Sequence, residues 1–142
     1  QGREFHNPIY AVPVRAAAAR VRAVSQAGDL ILAEDDTVFG YYYQMDPGPA
    51  AYQDAALNGQ PPAPLLAAAN PNRLWLVAYG RDHSAGALQT PEFLAWLADH
   101  YRPVELTGYG DTSPYYRALK ERLLHRPAYV YKLTVTLYER LP

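Results

Sequence analysis

Apolar positions recur along the chain with two periods, and the alternation of the two predicts an α/β fold. Over residues 14–27, Val14, Ala17, Ala18, Val21 and Val24 share one helical face, while Arg15, Arg20 and Arg22 fall elsewhere. Gly28 stands where a helix C-cap glycine belongs, and Asp29 leads into a short apolar strand at 30–33. Next comes Glu34-Asp35-Asp36-Thr37, followed by a helix expected to run through Tyr43 with Asp36 or Thr37 as its cap. In that helix Tyr42 and Tyr43 lean on the sheet, and Gly40 permits close packing. Residues 45–72, rich in Pro, Gly, Asn and Ala, read as a long, partly mobile loop with a short helix around 65–69.

The stretch 74–79 is apolar throughout, as a central parallel strand covered on both faces should be. Thr90-Pro91-Glu92 carries a helix start: a hydroxyl cap, proline at the first helical position and an acid near the positive dipole end. The face of that helix is Phe93, Leu94, Leu97 and Tyr101; Pro103 stops it, and 104–109 is a strand with Val104 and Leu106 on one side. Ser113-Pro114 repeats the start signal for a helix to about Leu124. In 129–138, Tyr129, Tyr131, Leu133, Val135 and Leu137 alternate with Val130, Lys132, Thr134 and Thr136, a period of two. The expected architecture is a three-layer α/β/α sandwich, Rossmann-like, with a mostly parallel sheet. Its C-terminal strand, alternating polar and apolar, is placed at an edge, antiparallel to 104–109.

Composition narrows the class. A chain of 142 residues is one domain with a single core, and 49% hydrophobic against 19% charged residues fits a folded globular protein. The net charge of −1 offers no global basic field for nucleic acid or anionic lipid. With no cysteine, disulfides, thiolate metal sites and cysteine nucleophiles are excluded. No apolar run approaches the roughly 18 residues of a membrane span, and no signal-peptide core is present. The chain opens Gln1-Gly2-Arg3 and its single methionine is Met45, which points to a domain excised from a larger protein.

Two loops carry candidate chemistry. If the strands are parallel, 34–37 and Gly80-Arg81-Asp82-His83-Ser84 leave the sheet at its carboxyl edge, where open α/β sheets gather ligands. The candidate binding edge is Asp35, Asp36, Tyr41, Arg81, Asp82 and His83. Arg81 suits a phosphate or carboxylate, and the acids with His83 suit a cation or proton transfer. One arginine among three acids favours a cation or sugar hydroxyls, with Tyr41 supplying a ring. The alternative is a capped helix and a solvated loop. Leu30-Ile31-Leu32-Ala33-Glu34-Asp35-Asp36 looks like the first strand and acidic pair of a response-regulator receiver. The matching strand end has no acid before Asp82, however, and no lysine stands at the required later position. Neither a phosphate loop, a nucleophile elbow nor a zinc motif is present, and no catalytic residue or protein-held metal is assigned.

Helix–Gly28-Asp29–strand, then Tyr41-Tyr42-Tyr43, then NRLWLVAYG, FLAWLADHYRPVE and VTLYERL follow in succession over residues 14–141. This series resembles the soluble C-terminal domain of bacterial family 39-type membrane glycosyltransferases, relatives of the protein O-mannosyltransferases. The resemblance implies an accessory extracytoplasmic domain that serves acceptor or partner binding beside a multi-span region of the same parent chain. The parent would use a polyprenyl-phosphate sugar, with a divalent cation as an option there, and its catalytic carboxylate lies in a membrane-region loop. No residue of this chain corresponds to that loop, so the domain alone is expected to be catalytically silent and to need no cofactor of its own. Two rivals are a free-standing Rossmann- or flavodoxin-like small-molecule binding module and a tyrosine-rich interaction domain.

Overall fold

The computed structural model describes residues 14–34, 38–55, 61–80, 87–110, 121–123, 125 and 132–142. It is a mixed α/β protein built on one open five-stranded sheet of order β2-β1-β3-β5-β4. The strands are β1 (Leu30–Ala33), β2 (Ala51–Asp54), β3 (Arg73–Gly80), β4 (Tyr101–Gly110) and β5 (Lys132–Arg140). Helices α1 (Val14–Val24), α2 (Phe39–Met45), α3 (Pro62–Ala69) and α4 (Pro91–His100) accompany them, with a 3-10 turn at Ala87–Gln89.

β3 is central, as its unbroken apolar run predicts, and β1 lies parallel to both β2 and β3. Because side chains alternate across a strand, Ile31, Ala33, Trp75 and Val77 enter one core, with Val14, Ala17, Ala18 and Val21 of α1 and Phe39 and Tyr43 of α2. Leu32, Leu74 and Leu76 enter a second core on the opposite face, with Leu66 of α3 and Phe93 and Leu97 of α4. At about 25 cal/mol per Å2 of apolar surface removed from water, these two cores are the main source of stability.

Four expectations are corrected. The sheet is mixed rather than mostly parallel, because β5 runs antiparallel to both neighbours. β5 is also not an edge: it lies between β3 and β4, with Leu133, Val135 and Leu137 buried on one face and Thr136 buried on the other. Its threonines gave the alternation of a half-solvated strand, yet Thr134 Oγ1 donates to the Ala78 carbonyl at 3.3 Å, so a polar residue sits against the sheet's own backbone. The edge on that side of the sheet is β4, where Val104 and Leu106 are exposed and Pro103 is tolerated beside an irregularity in the ladder. The stretch 45–72 is not simply a loop, since it contains β2 and α3. Finally, α1 ends at Val24, which is exposed, and Gly28 is not its cap but holds a positive φ of 92° in the turn before β1. Residues 129–131 and most of the expected 113–124 helix lie outside the described residues.

Local rules account for the helix ends. Thr90 Oγ1 accepts from the Phe93 amide at 3.3 Å and Pro91 opens α4, as the sequence predicts. The N-cap position of α2 is Val38, which has no side-chain acceptor, rather than Asp36 or Thr37, both outside the described residues. At its other end α2 has no basic residue of its own, and Arg22 of α1 donates to the Tyr42 carbonyl at 2.7 Å and to the Asp46 carbonyl. Gly40 does permit close packing: a Cβ there would stand 2.5 Å from the Tyr52 hydroxyl oxygen.

Candidate functional site

Of the sequence-derived candidates, only Tyr41 falls among the described residues; Asp35, Asp36, Arg81, Asp82 and His83 lie outside them. Tyr41 projects from α2, 58% exposed, with its ring edge-on to Tyr42 at 5.4 Å between centroids. Arg15 of α1 sits over the Tyr42 ring at 5.1 Å, so the tyrosine run is part of the α1–α2 packing as well as a surface. The frame for the expected edge is in place to this extent: β1 and β3 are adjacent and parallel, so their carboxyl ends lie at one end of the sheet. There the Glu34 amide donates to the Val77 carbonyl at 2.8 Å and Gln89 Nε2 to the Glu34 carboxylate at 2.9 Å. Among the described residues no group of three or more acids and histidines is placed to hold a metal ion.

A polar centre that the sequence reading missed is built around Asp29. Its carboxylate is 4% exposed and accepts from Trp75 Nε1 at 2.9 Å and from the Gln26 amide at 3.0 Å. Arg73 Nε stands 3.6 Å from the other carboxylate oxygen, and the Asp29 carbonyl accepts from the Ala51 amide at 3.0 Å. The group joins the turn after α1 to β1, β2 and β3. The signal that could have found it is a tryptophan expected in the core, whose indole N–H needs a buried acceptor. The arrangement is structural: one carboxylate oxygen and the carbonyl of Asp29 accept hydrogen bonds from within the fold, and the other carboxylate oxygen faces Arg73 as an ion pair without a hydrogen bond.

The described cleft lies at the other end of the sheet from the expected edge. Its volume is about 370 Å3, and it opens between the C-terminal ends of α3 and α4 beside the end of β5. Asn70 closes α3 in the left-handed conformation, φ 45° and ψ 51°, and its carbonyl accepts from Arg140 at 2.8 Å. On α4, Trp96 and His100 are one turn apart, and their rings stack at 4.3 Å with 20° between planes. Phe93 extends the stack at 6.2 Å. His100 Nδ1 lies 2.7 Å from the Trp96 carbonyl; since a carbonyl only accepts, Nδ1 carries the proton and donates. Tyr101, 3% exposed, donates to the Pro71 carbonyl at 2.9 Å and closes the floor. Burial pushes the Tyr101 phenol above the ordinary value of 10.0, with nearby Arg140 pulling the other way, and burial pushes up Tyr138 likewise.

The cleft brings together a fixed aromatic wall, a carboxylate on Asp99, an amide on Asn70 and a guanidinium on Arg140. Those groups bind and orient, but they do not form a nucleophile held by a base. Sequence reading treated His100 as one of several scattered histidines and the tryptophans as packing, because Asn70 and Arg140 meet α4 only through the sheet register. Comparison with protein-family models, curated proteins and solved structures finds no match, so the reading of this site rests on the chain's own geometry.

Proposed function

We propose that this chain is the accessory extracytoplasmic domain of a polyprenyl-phosphate-sugar-dependent membrane glycosyltransferase, binding acceptor or partner groups beside the membrane-embedded region of its parent. In this reading the helices on the two sheet faces are the outer layers of a Rossmann-like three-layer sandwich. Transfer chemistry belongs to the parent's membrane region, not to this domain.

The observation that supports it is the Asp29–Trp75 hydrogen bond at 2.9 Å. Two of the stretches that carry the family resemblance, the Gly28-Asp29 turn and the NRLWLVAYG segment, are thereby one physical unit, with Arg73 drawn in as well. Residues that must meet in the fold make a more informative likeness than apolar patterns that any strand can supply.

The test uses the parent reading frame in membranes. The parent should transfer sugar from a polyprenyl-phosphate donor, removal of residues 14–141 should impair acceptor use, and the isolated chain should give no transfer. Turnover by the isolated chain, or a topology reporter that places it on the cytoplasmic side, overturns the proposal.

A further inference from the structure

From the cleft between α3 and α4 we infer that the chain has a binding site for a neutral, polyhydroxylated ligand of pyranose type, at the sheet end opposite the carboxyl edge of β1 and β3. The inference goes beyond the accessory-domain reading and holds for the isolated chain, whatever its parent.

Charge comes first. With His100 neutral, Asp99 and Arg140 contribute one negative and one positive side chain, so the side chains of the cleft do not by themselves select a phosphate or an ammonium. Two helix C-termini also converge on it, and their partial negative charge disfavours an anion further. Hydrogen-bonding capacity comes second. Among the described residues the Asp99 carboxylate, the Asn70 side-chain amide and the Trp96 indole N–H have no hydrogen-bond partner. Arg140 commits one guanidinium nitrogen to the Asn70 carbonyl and keeps further donors. The lining therefore offers both acceptors and donors, which suits hydroxyl groups because each both donates and accepts.

The third element is the wall. Trp96 is held by ring stacking to Phe93 and His100, so it is ordered before any ligand arrives and loses little rotamer freedom on binding. The stack takes up the faces of the Trp96 ring, so the aromatic surface open to a ligand is the outer face of exposed His100, and the C–H face of a pyranose ring can lie on it beside the polar groups.

The experiment is a titration of the 15N-labelled chain with methyl glucopyranoside, methyl mannopyranoside and maltose, with glucose 6-phosphate and n-butylammonium as charged probes. The indole N–H of Trp96 and the side-chain amide of Asn70 should move with a neutral sugar, while the indole N–H of buried Trp75 stays still. Asp99→Ala, at an exposed position, should keep the parent melting temperature and weaken binding by about tenfold or more, the effect of losing a charged hydrogen bond. Tyr41→Ala should bind as the parent does. No movement at Trp96 and Asn70 up to the solubility limit of the sugars overturns the site. So does tighter binding of either charged probe, unchanged affinity in Asp99→Ala, or a response centred on Tyr41.

Discussion

Replacing Asp29 by Ala removes the one acceptor that serves both the Trp75 indole and the Gln26 amide, in a place that water does not reach. The buried indole N–H and the turn amide each lose a partner, at about 1–3 kcal/mol for each donor left unsatisfied. Arg73, whose side chain is 20% exposed, loses a counter-charge at 3.6 Å. Its partial access to water puts that loss below the roughly 3–5 kcal/mol of a fully buried broken pair. The three effects share one carboxylate and are not additive, and we expect about 3–5 kcal/mol in all. For a chain of this size that lowers the melting temperature by about 10–15 °C. Denaturant unfolding followed by tryptophan fluorescence is the assay, and the midpoint should fall with an unchanged slope. Arg73→Met provides the contrast: Asp29 keeps both hydrogen bonds but, itself buried, loses its counter-charge, so the variant should cost about 1–3 kcal/mol, less than Asp29→Ala. A cost under about 1 kcal/mol for Asp29→Ala, or equal costs for the two variants, would refute the assignment of Asp29 as the buried centre.

Trp75→Ala, which empties the largest side chain of the first core, should cost roughly 3–5 kcal/mol by the same unfolding assay. Thr90→Ala removes the cap of α4 and should cost about 0.5–2 kcal/mol, read most directly as loss of hydrogen-exchange protection in the first turn of that helix. Gly40→Ala should destabilise by about 1–3 kcal/mol, since Tyr52 is stacked against Phe39 and Tyr43 and cannot swing aside freely. Raising the pH should also destabilise the fold. Tyr101 and Tyr138 hold their protons more tightly when folded than at the ordinary 10.0, so their contribution is complete below pH 10.0 and lost as pH climbs through the folded values. Tyr101→Phe should make the alkaline limb of the melting-temperature profile shallower.

What could be read from the chain followed from how strongly each segment's local pattern agreed with its final surroundings. The apolar run of β3 identified a central strand because burial on both faces leaves no polar position to confuse the reading. The Thr90-Pro91 start of α4 was legible because a cap is a local interaction, complete within four residues. β2 escaped because Ala51-Tyr52-Gln53-Asp54 is too short to show a period, and its strand character comes from pairing with β1. β5 was found as a strand but placed at the wrong position, since alternation reports which side chains are polar and not what covers them. The cleft was illegible for a different reason. Asn70, Trp96 and Arg140 are brought together by sheet register and by the exit angles of two helices, and no spacing in the sequence encodes that meeting. The binding edge drawn from Asp35, Asp36, Arg81, Asp82 and His83 had local sequence signals but falls outside the described residues.

The position of β5 bears on how the chain is made. Of the described strands it comes last in chain order, yet it is inserted between β3 and β4, so Arg73 must wait for Glu139 and Gly80 for Lys132 before the β3–β5 ladder closes. During vectorial synthesis β1, β2 and β3 can pair as soon as they emerge, but the borders of β3 and β4 that face β5 stay open until residues 132–140 leave the ribosome. High contact order of this kind slows folding, and an open strand border is a template for wrong pairing. A nascent chain stalled before residue 132 should therefore engage holding chaperones and resist compaction, and emergence of residues 132–140 should bring the sheet together in one cooperative step.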